Sequence, residues 1–266
     1  MKASHILRLS GQLAICLALL GTISARAGKS VASGPAKARE GAPVFQVGEK
    51  LQYRISWASL MTAATAELAV NEKRPFYGRE AWHFQALART TDLARSLYEL
   101  DNQFDSYADP ATLASFRYEA YLREQGKKET SVVRMSGQGL PVQDDGAMVR
   151  VAPGTRDPLG VLYYLRTIDW SRQPQVVTPV FTGRRLFEIQ ATLTKSAPVT
   201  VAAGTYTASR VELRVTERKK ELDNVRIWIW LADDETRTPA LIEAEMPFGK
   251  LRVELVRASL ERKSAP

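Results

Sequence analysis

His83, a scatter of carboxylates and a strand carrying two tryptophans are the places where this sequence could do chemistry. A general base needs a hydroxyl or thiol within hydrogen-bond reach. His83 alternates with Trp82 and Phe84 and shares a face with Gln85 and Arg89, so it points to solvent or to a polar neighbouring strand. Asp101, Asp105 and Asp109 run along one strand and turn, with Asp101 and Asp105 on the same side; Asp233-Asp234-Glu235 forms an acidic turn. Neither set matches the loop that gathers six to eight oxygens around a hard cation, and Asp233 and Asp234 also suit a hairpin in which Asp bonds its own backbone. Paired carboxylates flanking a sugar are recognised by their separation in space, which a sequence does not contain. Trp228 and Trp230 share one face of a strand whose other face carries Val225, Ile227, Ile229 and Leu231. Such a strand is apolar on both sides. It either lies buried in a core, where large aromatics ordinarily go, or turns an indole pair toward an apolar ligand. Tyr163, Tyr164 and the Leu93–Tyr98 segment are candidates to cover such a pocket, and Tyr163, Tyr164, Trp228 and Trp230 form the candidate ligand-binding set.

Other catalytic signatures are missing. The sequence has no G-x-S-x-G, H-E-x-x-H or Walker motif. Its 266 residues include one Cys and two His, which excludes an internal disulfide and a Cys-rich zinc site. No cofactor is implied. With 45% apolar and 25% charged residues the composition is that of a globular protein. The basic clusters Lys127-Lys128, Arg184-Arg185 and Arg218-Lys219-Lys220 have acids beside them and no interleaved aromatics, so nucleic acid is not an expected partner. A weak attraction to anionic envelope surfaces is compatible with the charge.

The first residues read as an export signal. Lys2 and Arg8 precede an apolar run from Leu13 to Ile23, and Ala25-Arg26-Ala27 is an A-x-A cleavage site. The expected cut follows Ala27. It removes Lys2, Arg8 and Arg26 and no acid, taking the net charge from +8 to +5, and it removes Cys16 and His5. Ile15 before Cys16 is too bulky for a lipoprotein box. The apolar run is shorter than the ~20 residues of a membrane span, and no later stretch reaches that length. The expected destination is the periplasm. Residues 28–43, rich in Ala, Gly, Lys, Ser and Pro, read as a tether, residues 44–260 as one β-rich domain, and 261–266 as a tail.

The body of the chain alternates. Leu51, Tyr53, Ile55 and Trp57 interleave with polar residues; so do Trp82 to Ala88, Phe116 to Ala120, Leu186 to Lys195, Val211 to Val215 and Leu251 to Leu255. A period of two with one polar face belongs to antiparallel sheets. Tyr77-Gly78, Gln125-Gly126, Asp145-Gly146, Thr182-Gly183 and Phe248-Gly249 punctuate the runs as turns. The pattern predicts a mainly β fold: about a dozen antiparallel strands in a barrel-like or strongly curved sheet. Two stretches depart from it. Asp157 caps and Pro158 opens a helix to Thr167, and Asp92 opens a shorter helical turn over Leu93–Tyr98.

Several motifs stand in one order: Phe45-Gln46-Val47-Gly48-Glu49-Lys50-Leu51; Gly78-Arg79-Glu80-Ala81-Trp82-His83-Phe84; Leu97 to Asp101 with Phe104-Asp105-Ser106-Tyr107. Asp157-Pro158-Leu159 to Arg166 follows, then Trp230-Leu231-Ala232-Asp233-Asp234 and Phe248-Gly249. From about Phe45 to Leu255 this order resembles the bacterial envelope family called domain of unknown function 3108. The resemblance implies a secreted or periplasmic β-rich protein and brings no catalytic residues. Three functions stay open: binding of an apolar or amphipathic envelope component or partner; carboxylate-dependent catalysis on envelope glycan or lipid; and a structural or assembly role. The oligomeric state is not written in the sequence.

Overall fold

A computed structural model describes residues 44–57, 61–135, 141–143, 151–183, 185–217, 220–222, 224–247 and 249–261. The expected leader, the expected tether and the expected Asp145-Gly146 turn lie outside them. The strands are β1 (Glu49–Trp57), β2 (Met61–Phe76), β3 (Arg79–Thr90), β4 (Asp101–Ala108), β5 (Ser115–Glu124), β6 (Lys127–Met135) and β7 (Pro141–Gln143). A second set is β8 (Gln175–Phe181), β9 (Leu186–Val201), β10 (Gly204–Glu217), β11 (Lys220–Glu221), β12 (Arg226–Ala232), β13 (Pro239–Met246) and β14 (Gly249–Leu260). Helix α1 (Asp92–Arg95) follows β3, and α2 (Pro158–Thr167) separates the two sets. One antiparallel sheet runs β7-β6-β5-β4-β3-β2-β1-β14-β13-β12-β10-β9-β8, with β11 attached to β10. The first and last described strands therefore meet in the middle of the sheet, and the two sets extend outward from that seam.

Period-two burial shows why these residues are strands. In β3, Trp82, Phe84, Ala86 and Ala88 are buried while the residues between them lie nearer solvent. Tyr77 and Gly78 both have positive φ, at 52° and 78°, between the paired residues Phe76 and Arg79. Two left-handed residues make the turn whose twist matches its strands. One row of buried residues crosses seven strands: Thr90, Ala64, Ile55, Val253, Ile242, Ile229 and Val211. This row marks the inner face.

Helix α2 lies on that inner face. Asp157 accepts from the Gly160 N–H at 2.7 Å and from the Ser106 hydroxyl on β4, so one carboxylate caps the helix and ties it to the sheet. Burial raises the Asp157 pKa against the pull of these donors. Leu159 through Arg166 are all buried, so the helix is enclosed on every side. Arg166, 1% exposed, meets both Glu49 oxygens at 2.6 and 2.8 Å. A buried guanidinium loses hydration that only such a bidentate partner offsets.

No ladder joins β7 to β8 among the described residues, so the sheet is curved but not closed. Residues just ahead of α2 stitch its sides together. Thr155 O accepts from Ser115 N of β5, while Arg156 exchanges N–H···O bonds with Pro179 and Phe181 of β8 at 3.1 and 2.8 Å. Beyond β8, a Cβ on Gly183 would stand 2.7 Å from the Val133 side chain of β6. Only glycine lets the two sides of the curve approach this closely. The expected mainly β, barrel-like sheet and its two helices are the observed fold. The helix expected to Thr167 has its observed bounds, whereas the short turn narrows to α1, with Thr91 in the N-cap place.

Candidate functional site

The outer face of β10, β12 and β13 holds the tryptophan pair. Two cross-strand rows define it. Lys195, Arg210, Trp230, Leu241, Glu254 and Arg54 form one; Thr192, Glu212, Trp228, Glu243, Arg252 and Ser56 form the next. Ile227, Ile229 and Leu231, which alternate with the indoles, are buried in the core cluster, which Trp230 also joins. Trp230 is buried and Trp228 half-buried, and cations lie over both. The Arg210 guanidinium sits 4.7 Å from the Trp228 ring and 5.8 Å from Trp230; the Lys195 ammonium is 5.1 Å from Trp230. Each such contact contributes about 0.5–1 kcal/mol at a partly exposed site.

Acids on this face are largely committed elsewhere. Glu243 accepts the Trp230 indole N–H at 3.0 Å and pairs with Arg252 at 3.4 Å, and Glu254 pairs with Arg54 at 3.3 Å. Glu212 stands beside Trp228 in the second row. Among the described residues no carboxylate lies within 4 Å of Arg210 or Lys195, and the buried Arg210 Nε has no partner. Together these groups make an aromatic shelf under two cations that, among the described residues, no carboxylate approaches within 4 Å.

Tyr163 and Tyr164 are on α2, on the opposite side of the sheet. The Tyr163 ring stacks on Phe84 at 3.8 Å and meets Phe45 edge-on at 5.3 Å. Its buried hydroxyl has no partner among the described residues, and burial pushes its pKa up. Tyr164 carries the Arg156 guanidinium 3.5 Å above its ring. The sequence pointed to four residues around one pocket; the structure brings Trp228 and Trp230 together outside the sheet and Tyr163 and Tyr164 together inside it. The Leu93–Tyr98 segment covers neither pair with its leucines, since Leu93 and Leu97 are both 78% exposed.

Sequence reasoning missed a third cluster, on the outer face of β3, β4 and β5. His83 Nε2 lies 2.8 Å from Asp105 Oδ1, which also accepts from Gln85 at 2.9 Å; Asp105 Oδ2 accepts from Gln103 at 2.7 Å. The imidazole stacks on Tyr107 at 4.6 Å, and Phe76 meets both rings edge-on. Next to it Glu119 accepts from Arg117 and from the Tyr121 hydroxyl. Burial pushes the Asp105 carboxyl up, but the three side-chain donors outweigh it and hold the group below its usual range. The Tyr121 phenol is pushed up to about 12, first by its bond to Glu119 and then by burial. Among the described residues no hydroxyl bonds to His83. Alternation already placed His83 and Gln85 on one face. Their meeting with Asp105 depends on register.

Four further carboxylates have local partners. Asp101 pairs with Arg89, Asp109 accepts from the backbone of Ala111 and Thr112, Asp233 accepts from Ser196 and Ser209, and Asp234 caps the turn to Arg237. Among the described residues no three His, Cys, Asp or Glu side chains converge as a metal site requires.

This geometry defines a class: a single curved antiparallel sheet, barrel-like but open, with a helix on its concave side and charged aromatic clusters on its convex side. Within that class, the chain belongs to the protein family of unknown function DUF3108, whose model matches residues 52–256. Among curated proteins no sequence matches it. The crystal structure of a β-barrel-like protein of domain of unknown function DUF1849 from Brucella abortus is similar in fold, with a TM-score of 0.57 at 12% identity; the match covers 81% of this chain and 98% of that one. Two further solved structures match at lower TM-scores. One is a protein described as exported, with a YmcC-like fold, from Bacteroides fragilis (0.33, 12% identity, covering 80% and 96%). The other is described as a lipoprotein from Parabacteroides distasonis (0.37, 8% identity, covering 80% and 96%). No helix among the described residues is long and apolar enough to cross a membrane.

Proposed function

We propose that this protein is exported to the periplasm and there binds an amphipathic, anionic component of the cell envelope on the outer face of β10, β12 and β13, without catalysing a reaction on it. The observation that carries this is the shelf itself. Trp228 and Trp230 lie under Arg210 and Lys195, two cations that no carboxylate within 4 Å neutralises among the described residues. An indole surface takes an acyl or other apolar part, and an unpaired guanidinium takes a phosphate or carboxylate bidentately. The N-terminal leader supports the compartment.

A titration with dihexanoyl phosphatidylglycerol below its micelle concentration tests this. The tryptophan emission should shift or quench, dihexanoyl phosphatidylcholine should act about tenfold more weakly, and Arg210→Gln should remove that preference. An emission spectrum indifferent to both lipids overturns the proposal.

A further inference from the structure

The rim formed by α1 and the β5–β6 turn carries two leucines with no core to enter. Leu93 lies in α1 and Leu97 in the turn just past its C-cap Ser96, and each is 78% exposed. They are the most exposed large apolar residues described in the molecule. The turn that holds them is firmly seated. Ala94 is buried beneath it, Thr91 donates its hydroxyl to Thr62 O at 3.1 Å, and Tyr98 donates to Glu124 at 2.8 Å. Arg95 pairs with Glu99 at 2.7 Å, and Gln125 N donates to Glu99 O at 3.0 Å. The leucines are thus presented by a braced turn and not by a loose loop.

Most acids around them already have partners. Glu99 is paired with Arg95, Asp101 with Arg89, and Glu124 accepts from Tyr98 and Asn102. Asp92 is the one acid of the turn without such a partner among the described residues. On the adjoining hairpin Arg123, Lys127 and Lys128 are exposed, and no carboxylate lies within 4 Å of them among the described residues. The rim therefore shows an apolar tip beside three free cations.

We infer that this rim docks the protein onto an anionic lipid bilayer, the leucines entering the acyl boundary and Arg123, Lys127 and Lys128 contacting headgroup phosphates. A protein partner is the poorer fit. Two leucines offer a few hundred Å² of apolar surface, well short of the ~800 Å² per partner in a stable interface. A bilayer accepts an isolated apolar tip, and basic residues near its surface add to the attraction. This surface is separate from the tryptophan shelf and does not depend on it.

Sedimentation with large vesicles of phosphatidylethanolamine and phosphatidylglycerol (3:1), against phosphatidylcholine vesicles, is the test. The wild-type protein should bind the anionic vesicles and release them in high salt. Leu93→Asp/Leu97→Asp should weaken binding at least tenfold with an unchanged circular dichroism spectrum, because both side chains are exposed. The milder Leu93→Ser/Leu97→Ser pair gives the same comparison if the aspartates disturb α1. Lys127→Gln/Lys128→Gln should lower the affinity severalfold and flatten its salt dependence. A wild-type chain that ignores the anionic vesicles, or a leucine double variant that binds them as the wild type does, overturns the inference.

Discussion

Two outer faces of the same sheet treat charge in opposite ways. On β3, β4 and β5 the acids Asp105 and Glu119 are 3% and 6% exposed, and each is surrounded by its own donors. On β10, β12 and β13 the buried polar surface is an indole, and the cations above it face no acid within 4 Å among the described residues. The first cluster satisfies itself, as a buried polar network must if it is to stabilise a fold. The second leaves its cations without a carboxylate partner, the feature on which the proposed ligand binding rests. Aromatic residues beside charges therefore do not by themselves mark a site. Whether the charges are already answered is what separates the two faces.

Substitutions can sharpen this contrast. Asp105→Ala should have the largest effect. It strands the donors of His83, Gln85 and Gln103, and should cost about 2–4 kcal/mol of folding stability, the range for breaking a buried hydrogen-bonded charge. Urea denaturation measures this, and lipid binding should not change. A variant as stable as wild type would show that the His83 cluster is not a structural network. Arg210→Gln should do the reverse, losing about 1–2 kcal/mol of binding to a soluble anionic lipid, the scale of a charge-assisted contact. Its urea midpoint should stay close to that of wild type. Equal losses of stability and binding would erase the distinction.

Acid provides a third, smaller handle. Asp105 has a folded-state pKa below that of an unfolded Asp, which is ~3.9. Its contribution is thus present above the unfolded pKa and lost as pH falls through the folded one. Stability profiles of wild type and Asp105→Asn should converge as pH drops below about 4. Parallel profiles would mean that the Asp105 network contributes nothing pH-dependent. Lys195→Gln should be the mildest change, a loss of about 0.5–1 kcal/mol or less in lipid affinity, because only one exposed cation–π contact disappears. A larger loss would make Lys195 the main anion contact in place of Arg210.

Much of the architecture was open to reading before any coordinates. Alternation in Leu51–Trp57 and Trp82–Ala88 named the strands and their inner residues, because a pleated chain with one wet face has no other way to bury its apolar groups. Asp157-Pro158 named the start of α2, because a carboxylate cap and a proline lacking its N–H both suit a helix's first turn. Turn geometry was legible at Tyr77-Gly78 for a similarly local reason. The candidate site was half legible. Trp228 and Trp230 do share a face, yet sequence spacing carries no sign of which side of the sheet that face occupies, nor that α2 would take Tyr163 and Tyr164 to the other.

Local sterics and hydrophobic periodicity thus determine this protein's strands, its long helix and the polarity of each face, since they act over neighbours a few residues apart. Pairing partners are another matter. His83 meets Asp105 across 22 positions, and Arg210 reaches Trp230 only after β10 and β12 align in register. A one-residue slip would turn every side chain of a strand to the opposite face without altering its own pattern. The curvature that sets α2 inside and the tryptophans outside arises from the sum of all those registers. Tertiary structure alone therefore decided which charges would be answered and which would have no partner within 4 Å among the described residues.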